Sequence, residues 1–332
     1  MRIQLRVVGL AVVGLALGGV VTIAFVAFAP AGDVAPHPFN HDRNAVWLEH
    51  RWLEKTQAED ETVRLVRSLS QRGVAYAFPH LIPFSKEGGL PPHDREQMRR
   101  FLAIARREAP GLRILPWVGG LRVGYKRQRD GTIALADLVQ RQRIVAECRG
   151  LIDEGFDGVH LNVEPVPDGN VDFLALLRVL RTAVGPGILS VSAIRPGPIS
   201  LPFAPNFFWT PAYYGRVAGV ASQIVVMAYD TALPTAPAYR RYLAWSAETV
   251  SDALDESGSE SRVLMGVPTY GPRGIMHREG VETPENAFAG IVAGLRGRSG
   301  GTFEGVALYA EWTTSEEDWQ VYERVWRGRH SR

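Results

Sequence analysis

Cysteine is almost missing from this 332-residue chain: Cys148 stands alone, so no intramolecular disulfide can form and stability must come from a large apolar core. Cys148 falls in a helical pattern with Ile144, Val145 and Leu151, where a small buried side chain is expected. No group of Cys, His and acidic residues shows metal-ligand spacing, and no glycine-rich phosphate loop precedes a helix. Neither a metal nor a cofactor is therefore expected. An excess of one charge is also lacking. Arg2 and Arg6 are the only charged residues among the first 32; removing them from the 37 Lys and Arg leaves 35, equal to the 35 Asp and Glu. A balanced chain without a basic stripe argues against nucleic acid as a partner. The arginine-rich end, with residues 328–332 as its tail, reads as a solvated terminus.

What is present begins with a long apolar run. Val7 to Gly32 carries no charge, and about 20 apolar residues suffice to cross a bilayer. Residues 1–32 are read as a transmembrane anchor, with a cleavable signal peptide as the competing reading because Ala27-Phe28-Ala29 fits a small-x-small cleavage site. Arginines before the run and Asp33 after it place the amino end inside. Either way the bulk of the chain is exported, tethered or secreted, behind a linker at 33–43.

From residue 44 onward the composition is that of a globular domain, and short apolar runs alternate with amphipathic segments. Strands are expected at Ala45–Glu49, Val74–His80, Arg113–Gly119, Gly158–Glu164, Leu189–Ile194, Gln223–Tyr229, Val263–Tyr270 and Gly305–Trp312. Eight strands, each followed by a helix, predict a (β/α)8 TIM barrel over 44–327, expected to be monomeric; a doubly wound open sheet is the alternative. Helix starts are signalled by Thr56 with Glu59, Thr314 with Glu317, and Thr283 before Pro284. Helix-to-strand connections are terse, whereas 80–93, 120–133, 195–215 and 271–283 are long, which places an active site at the strand carboxyl ends. The long loops concentrate aromatics (Phe84, Tyr125, Phe203, Phe207, Phe208, Trp209, Tyr213 and Tyr214) suited either to sugar stacking or to capping the barrel mouth.

One strand breaks its own apolar pattern. In Gly158–Glu164, Val159, Leu161 and Val163 share one face, while His160, Asn162 and Glu164 share the other. The polar face points into the barrel, and Glu164 comes last, where one-sided desolvation raises a carboxyl pKa towards general-acid use. His160 is deepest and reads first as a hydrogen-bonded core histidine; Asn162 fits a structural or a functional role.

Asp157-Gly158-Val159-His160-Leu161-Asn162-Val163-Glu164 resembles the D-G-x-D-x-D-x-E strand of glycoside hydrolase family 18, the chitinase-like barrels, at three of five fixed positions. Met227-Ala228-Tyr229-Asp230 resembles that family's M-x-Y-D, Gly266 to Gly271 its G-x-P-x-Y-G, and Trp117-Val118-Gly119-Gly120 part of its S-x-G-G. The resemblance implies that Glu164 protonates the leaving oxygen, that Asn162 orients the substrate's N-acetyl group for attack on the anomeric carbon, and that Tyr229 and Asp230 steady the oxazolinium. This is the substrate-assisted exception to the two-carboxylate scheme. It also implies sugar contacts from His160, Trp117, Met227, Tyr270 and Tyr309, with Trp312 as a further platform. Asn162 and His160 stand where the family has aspartates, Trp117 where it has serine, and Tyr309 where it has tryptophan. The related family 85 endoglycosidases also use an N-x-E pair.

Three functions follow as expectations: a glycosidase acting on N-acetylglucosamine-containing glycans such as peptidoglycan or chitin fragments, a weak or inactive barrel that binds surface glycan, and a two-carboxylate enzyme drawing its nucleophile from Glu49, Asp230 or Glu311.

Overall fold

A computed structural model describes residues 37–123, 131–197, 207–298 and 301–329. The expected anchor at 1–32 lies outside these residues, as do the start of the linker, Tyr125, Phe203 and the end of the basic tail. Among the described residues no helix is long and apolar enough to cross a membrane.

Among the described residues ten strands form one all-parallel sheet: β1 Asn44–Leu48, β2 Val74–Pro79, β3 Arg113–Ile114, β4 Trp117–Arg122, β5 Thr132–Ile133, β6 Gly158–Glu164, β7 Ile188–Ile194, β8 Gln223–Met227, β9 Arg262–Pro268 and β10 Phe303–Tyr309. Their order is β3-β2-β1-β10-β9-β8-β7-β6-β4-β5. The expected third strand is split in two. Pro116 has no N–H to give to a ladder, so the regular ladder is interrupted at Leu115-Pro116, although Leu115 N–H still donates to the Ala77 carbonyl and the Pro116 carbonyl accepts from His160 N–H, each at 2.9 Å. That single stretch nevertheless touches both ends of the sheet: β3 pairs with β2, His80 bridges Trp117, and β4 pairs with β6. The sheet thus curls into an α/β barrel whose eight staves count 113–122 as one, with β5 added beside β4.

Helices α1 Arg51–Glu54, α2 Glu59–Gln71, α3 Arg95–Glu108, α4 Leu138–Asp153, α5 Val171–Val184, α6 Pro211–Ala218, α7 Ala236–Glu256, α8 Pro284–Leu295 and α9 Glu316–Val321 alternate with the strands. Thr283 caps α8 as expected, accepting from the Asn286 N–H. The other two signals differ. Ala58, not Thr56, precedes α2 and makes no side-chain cap, while the capping box of α9 is Ser315 with Asp318, one residue beyond the expected pair. An Ala at the cap position has no oxygen to offer, and Ser competes well with the neighbouring Thr.

Strand alternation sorts the apolar side chains into two layers. Val159, Leu161, Val163, Val191, Val226 and Val267 pack outward under the helices, whereas Ala45, Trp47, Phe78, Trp117, Val225 and Leu264 fill the barrel. Each such side chain, fully buried, contributes about 1.5–3 kcal/mol. Of the loop aromatics suited either to sugar or to capping the barrel mouth, Phe84, Trp209, Tyr213 and Tyr214 belong to the outer core; the Trp209 indole donates to the Val166 carbonyl at 2.8 Å. Among the described residues of the set, Phe207 is the exposed one.

The lower half of the barrel holds a polar column. Glu304 accepts from the Arg43 guanidinium, from Tyr76 Oη at 3.0 Å and from Gln223 Nε2 at 3.3 Å. Gln223 Oε1 accepts the Ser190 hydroxyl at 2.8 Å, and Ser190 Oγ lies 2.8 Å from His160 Nδ1. Ser190 has spent its proton on Gln223, so Nδ1 carries the imidazole hydrogen, and Nε2 accepts from Ser192 at 2.9 Å. Ser192 reaches the floor of a cavity above.

Candidate active site

The cavity, about 120 Å³, opens where β6, β8, β9 and β10 end. Two glycines make its walls possible. Gly119 lies opposite Asn162 across the β4–β6 pair, and a Cβ there would fall 1.7 Å from the Asn162 carbonyl oxygen. A Cβ on Gly266 would meet the Val226 carbonyl at 2.6 Å and press on the Tyr229 ring. Both belong to the short motifs noted in the sequence, which gives those motifs a steric cause.

Asn162 and Glu164 enter from β6. Asn162 Nδ2 donates to Glu164 Oε1 at 2.6 Å, while its buried Oδ1 has no hydrogen-bond partner among the described residues. Burial raises the Glu164 pKa; the Asn162 hydrogen bond opposes this rise and the Asp230 charge adds to it. A carboxyl so placed keeps its proton further towards neutral pH than an exposed glutamate, as a general acid requires.

Tyr229 stacks on Tyr309 with ring centroids 5.5 Å apart, and Tyr270 stands perpendicular to both. Burial, with help from Tyr309, Glu164 and Asp230, keeps the Tyr229 phenol protonated and hence a donor. Trp47 and Trp117 meet Tyr309 edge-on, completing an aromatic wall.

Asp230 follows β8 in left-handed backbone, φ 54°. Its Oδ1 accepts the Tyr270 hydroxyl at 2.8 Å and lies 3.6 Å from His277 Nδ1. Burial would raise its pKa, but His277 and Tyr270, with Arg273, outweigh that and hold the carboxylate below its ordinary range. His277 Nδ1 is also 3.2 Å from Glu282 Oε2. Burial would lower the imidazole pKa, yet the two carboxylates lift it to about 9. Asp230, His277 and Glu282 offer ligand atoms within 4.8 Å of one another, the composition of a metal site. Both Glu282 oxygens, however, already accept hydrogen bonds: Asp230 N at 2.7 Å on one, Thr231 N and Oγ1 at 2.8 and 2.6 Å on the other. A proton on His277 balances the group, which reads as a buried ion-pair network.

The structure thus gathers Glu164, Asn162, Tyr229, Asp230, Trp117, Met227, Tyr270 and Tyr309 around one space. It does not bring His160 there: the ring is fully buried one layer down, stacked on Phe78 at 4.0 Å between its two serines. Trp312 is not among the lining residues; it meets Tyr309, which is, edge-on at 5.9 Å. Glu49 and Glu311 lie apart from the lining, beside Arg51 and Trp52. Trp47, Ser192 and Arg273 line the cavity without having been foreseen. Trp47 could have been found by alternation along β1; Arg273, His277 and Glu282 sit in an irregular loop that carries no periodicity to read.

The chain matches the family described as glycosyl hydrolases family 18 over residues 20–329. No curated protein matches it. Among solved structures it is similar to the spore cortex-lytic enzyme SleL of Bacillus cereus, with TM-score 0.56 and 10% identity over 84% of this chain and 73% of that one. A chitinase of Chromobacterium violaceum gives TM-score 0.54 and 13% identity over 87% and 99%. A protein of Bacteroides thetaiotaomicron described as an α-L-fucosidase gives 0.55 and 8% over 90% and 97%. At such identities these likenesses speak for the barrel alone.

Proposed function

The chain belongs to glycosyl hydrolase family 18, and on that premise we propose that it cleaves glycosidic bonds of N-acetylglucosamine-containing glycans, peptidoglycan or chitin-like, outside the cytoplasm. Glu164 protonates the leaving oxygen and later activates water. The acetamido group of the substrate serves as nucleophile, oriented by Asn162, with the Tyr229 hydroxyl and the Asp230 carboxylate beside the oxazolinium. SleL, named as cortex-lytic, and the chitinase point to this class of glycan. Export rests on the apolar run at 7–32.

The carrying observation is the Asn162 amide. One end is committed to Glu164, and the other is a buried, unpartnered acceptor. A buried polar atom without a partner costs about 1–3 kcal/mol, so the site is suited to a donor that the described residues do not provide. The N–H of an acetamido group is such a donor. Purified chain incubated with chitooligosaccharides and with peptidoglycan fragments, beside Glu164→Gln, tests this. Release of shorter sugars by wild type alone is expected; equal inertness of both on every such glycan refutes it.

A non-catalytic glycan-binding barrel is the second reading, favoured by the same amide, which brings no negative charge to a developing cation. Glycan binding without turnover, unaltered by Glu164→Gln, would establish it. A two-carboxylate mechanism has Asp230 as the acid that shares the cavity with Glu164; trapping a covalent glycosyl-enzyme would establish that one.

A further inference from the structure

We infer that His277 and Glu282 are positioning residues that hold the Asp230 carboxylate in place at the cavity, supplying the negative charge that Asn162 does not. The inference rests on the substrate-assisted reading above and adds to it two residues from the β9–α8 loop. Charge, backbone geometry and burial each bear on it.

An oxazolinium-like species needs an anion nearby, and fixed charge in a partly dry site stabilises it far more than water would. Asn162 is neutral. Glu164 has just given up its proton to the leaving group and must regain one, so it is not a constant anion. Asp230 is the remaining carboxylate on the lining.

Its surroundings keep it charged and still. Glu282, 3% exposed, accepts from the peptide N–H groups of both Asp230 and Thr231 and from the Thr231 hydroxyl. Asp230 and Ala232 both adopt left-handed φ, 54° and 59°, which non-glycine residues rarely do without support. Ala232 N is tied in turn to the Met276 carbonyl at 2.9 Å, next to His277. The imidazole, 3% exposed, lies against Tyr270 at 4.4 Å, with Nδ1 3.6 Å from Asp230 Oδ1 and 3.2 Å from Glu282 Oε2. Among the described residues, charged and titratable groups face it from several elements. Asp230 comes from the β8 end, Tyr270 from the β9 end, and Glu282 and Arg273 from its own loop. Tyr239 of α7 feels both carboxylates.

The test combines a readout without substrate and one with it. The His277 side chain of the whole chain, titrated by NMR, should stay protonated well past pH 7 and fall towards an ordinary histidine in Asp230→Asn and in Glu282→Gln. Neutral His277 at pH 7 in wild type overturns the inference whether or not any glycan is cleaved. With a cleaved substrate, His277→Gln should lower kcat about 100-fold, the scale of a misplaced group. Its acid limb should move to higher pH, because Asp230 loses the cation that holds its pKa down. Adding Asn162→Asp should recover part of that loss by restoring an anion on β6. A loss in KM alone, with both pH limbs unmoved, overturns the inference, as does a failed rescue in a folded double variant. Stoichiometric zinc binding by wild type but not by His277→Gln would make the group a metal site and overturn it as well.

Discussion

Two glutamates point into this barrel, one at each end, and they live differently. Glu304, near the strand amino ends, accepts hydrogen bonds from Arg43, Tyr76 and Gln223, so every lone pair that matters is met by a donor. Glu164, at the strand carboxyl ends, has one donor, Asn162, and a like charge, Asp230, close enough to feel. The first carboxylate is satisfied by the protein and the second waits for something else. An interior carboxylate is expensive in either place, and only the list of its partners tells structure from chemistry. The same contrast holds for the two buried histidines: His160 is shared by two serines, whereas His277 is held between two carboxylates.

Swapping each glutamate for glutamine should separate the two roles cleanly. Glu164→Gln removes the proton donor and should lower kcat by about 10²–10⁴, the range for general acid–base groups. It should also raise the melting temperature at pH 7. A carboxyl whose folded pKa is raised lends its stability below the unfolded value and loses it as pH climbs through the folded value, so at neutrality the glutamate is a burden that glutamine lifts. The gain should shrink towards pH 4. Glu304→Gln should do the reverse. A glutamine amide turns donors towards Tyr76 and Gln223, costing about 1–3 kcal/mol, while kcat of the folded protein holds. A stability loss at 164, or a kcat loss at 304 without unfolding, would erase the distinction.

The histidines should show opposite pH slopes in thermal melts. Burial pushes His160 down to about 3, so it stays neutral when folded, while an unfolded histidine protonates below about 6.5. Its contribution is present above 6.5 and is lost as pH falls from there towards 3. His277, lifted to about 9, contributes below 6.5 and is lost as pH rises through 9. One proton gives a slope of at most about 1.4 kcal/mol per pH unit. His160→Gln should flatten the acid side alone and His277→Gln the alkaline side alone. Crossed effects would mean that the two charge states have been misassigned.

The sequence announced one member of each pair. Glu164 and His160 stood out because period-2 alternation put polar groups on the inner face of a strand whose outer face was Val, Leu and Val. The same periodicity fixed the barrel, save where Pro116 cut a strand in two. Glu304 gave no such signal: it opens β10 as FEGV, and only the fold lays it beside Arg43, 261 residues away. His277 and Glu282 were invisible for a different reason. A loop places its side chains by hydrogen bonds and not by period, so their convergence on Asp230 exists only in three dimensions. The aromatic loop residues were open for the same reason: Trp209, Tyr213 and Tyr214 suit a sugar platform or a packed cap equally until their burial is seen.

Trp312 offers the smallest effect and the finest test of where the protein's own satisfaction ends. At 41% exposure it is half free, edge-on to the lining residue Tyr309, with part of its ring face exposed. If that face serves as a sugar platform, Trp312→Ala should raise KM by about three- to tenfold, matching an aromatic contact of ~0.5–1.5 kcal/mol, and leave kcat alone. Trp312→Phe should restore most of the binding, and the melting temperature should hardly move, because little core is removed. A fall in kcat at constant KM would instead mean that the indole braces Tyr309 from behind. Trp312 would then belong with the satisfied half of the barrel, and the boundary between scaffold and site would shift inward by one aromatic ring.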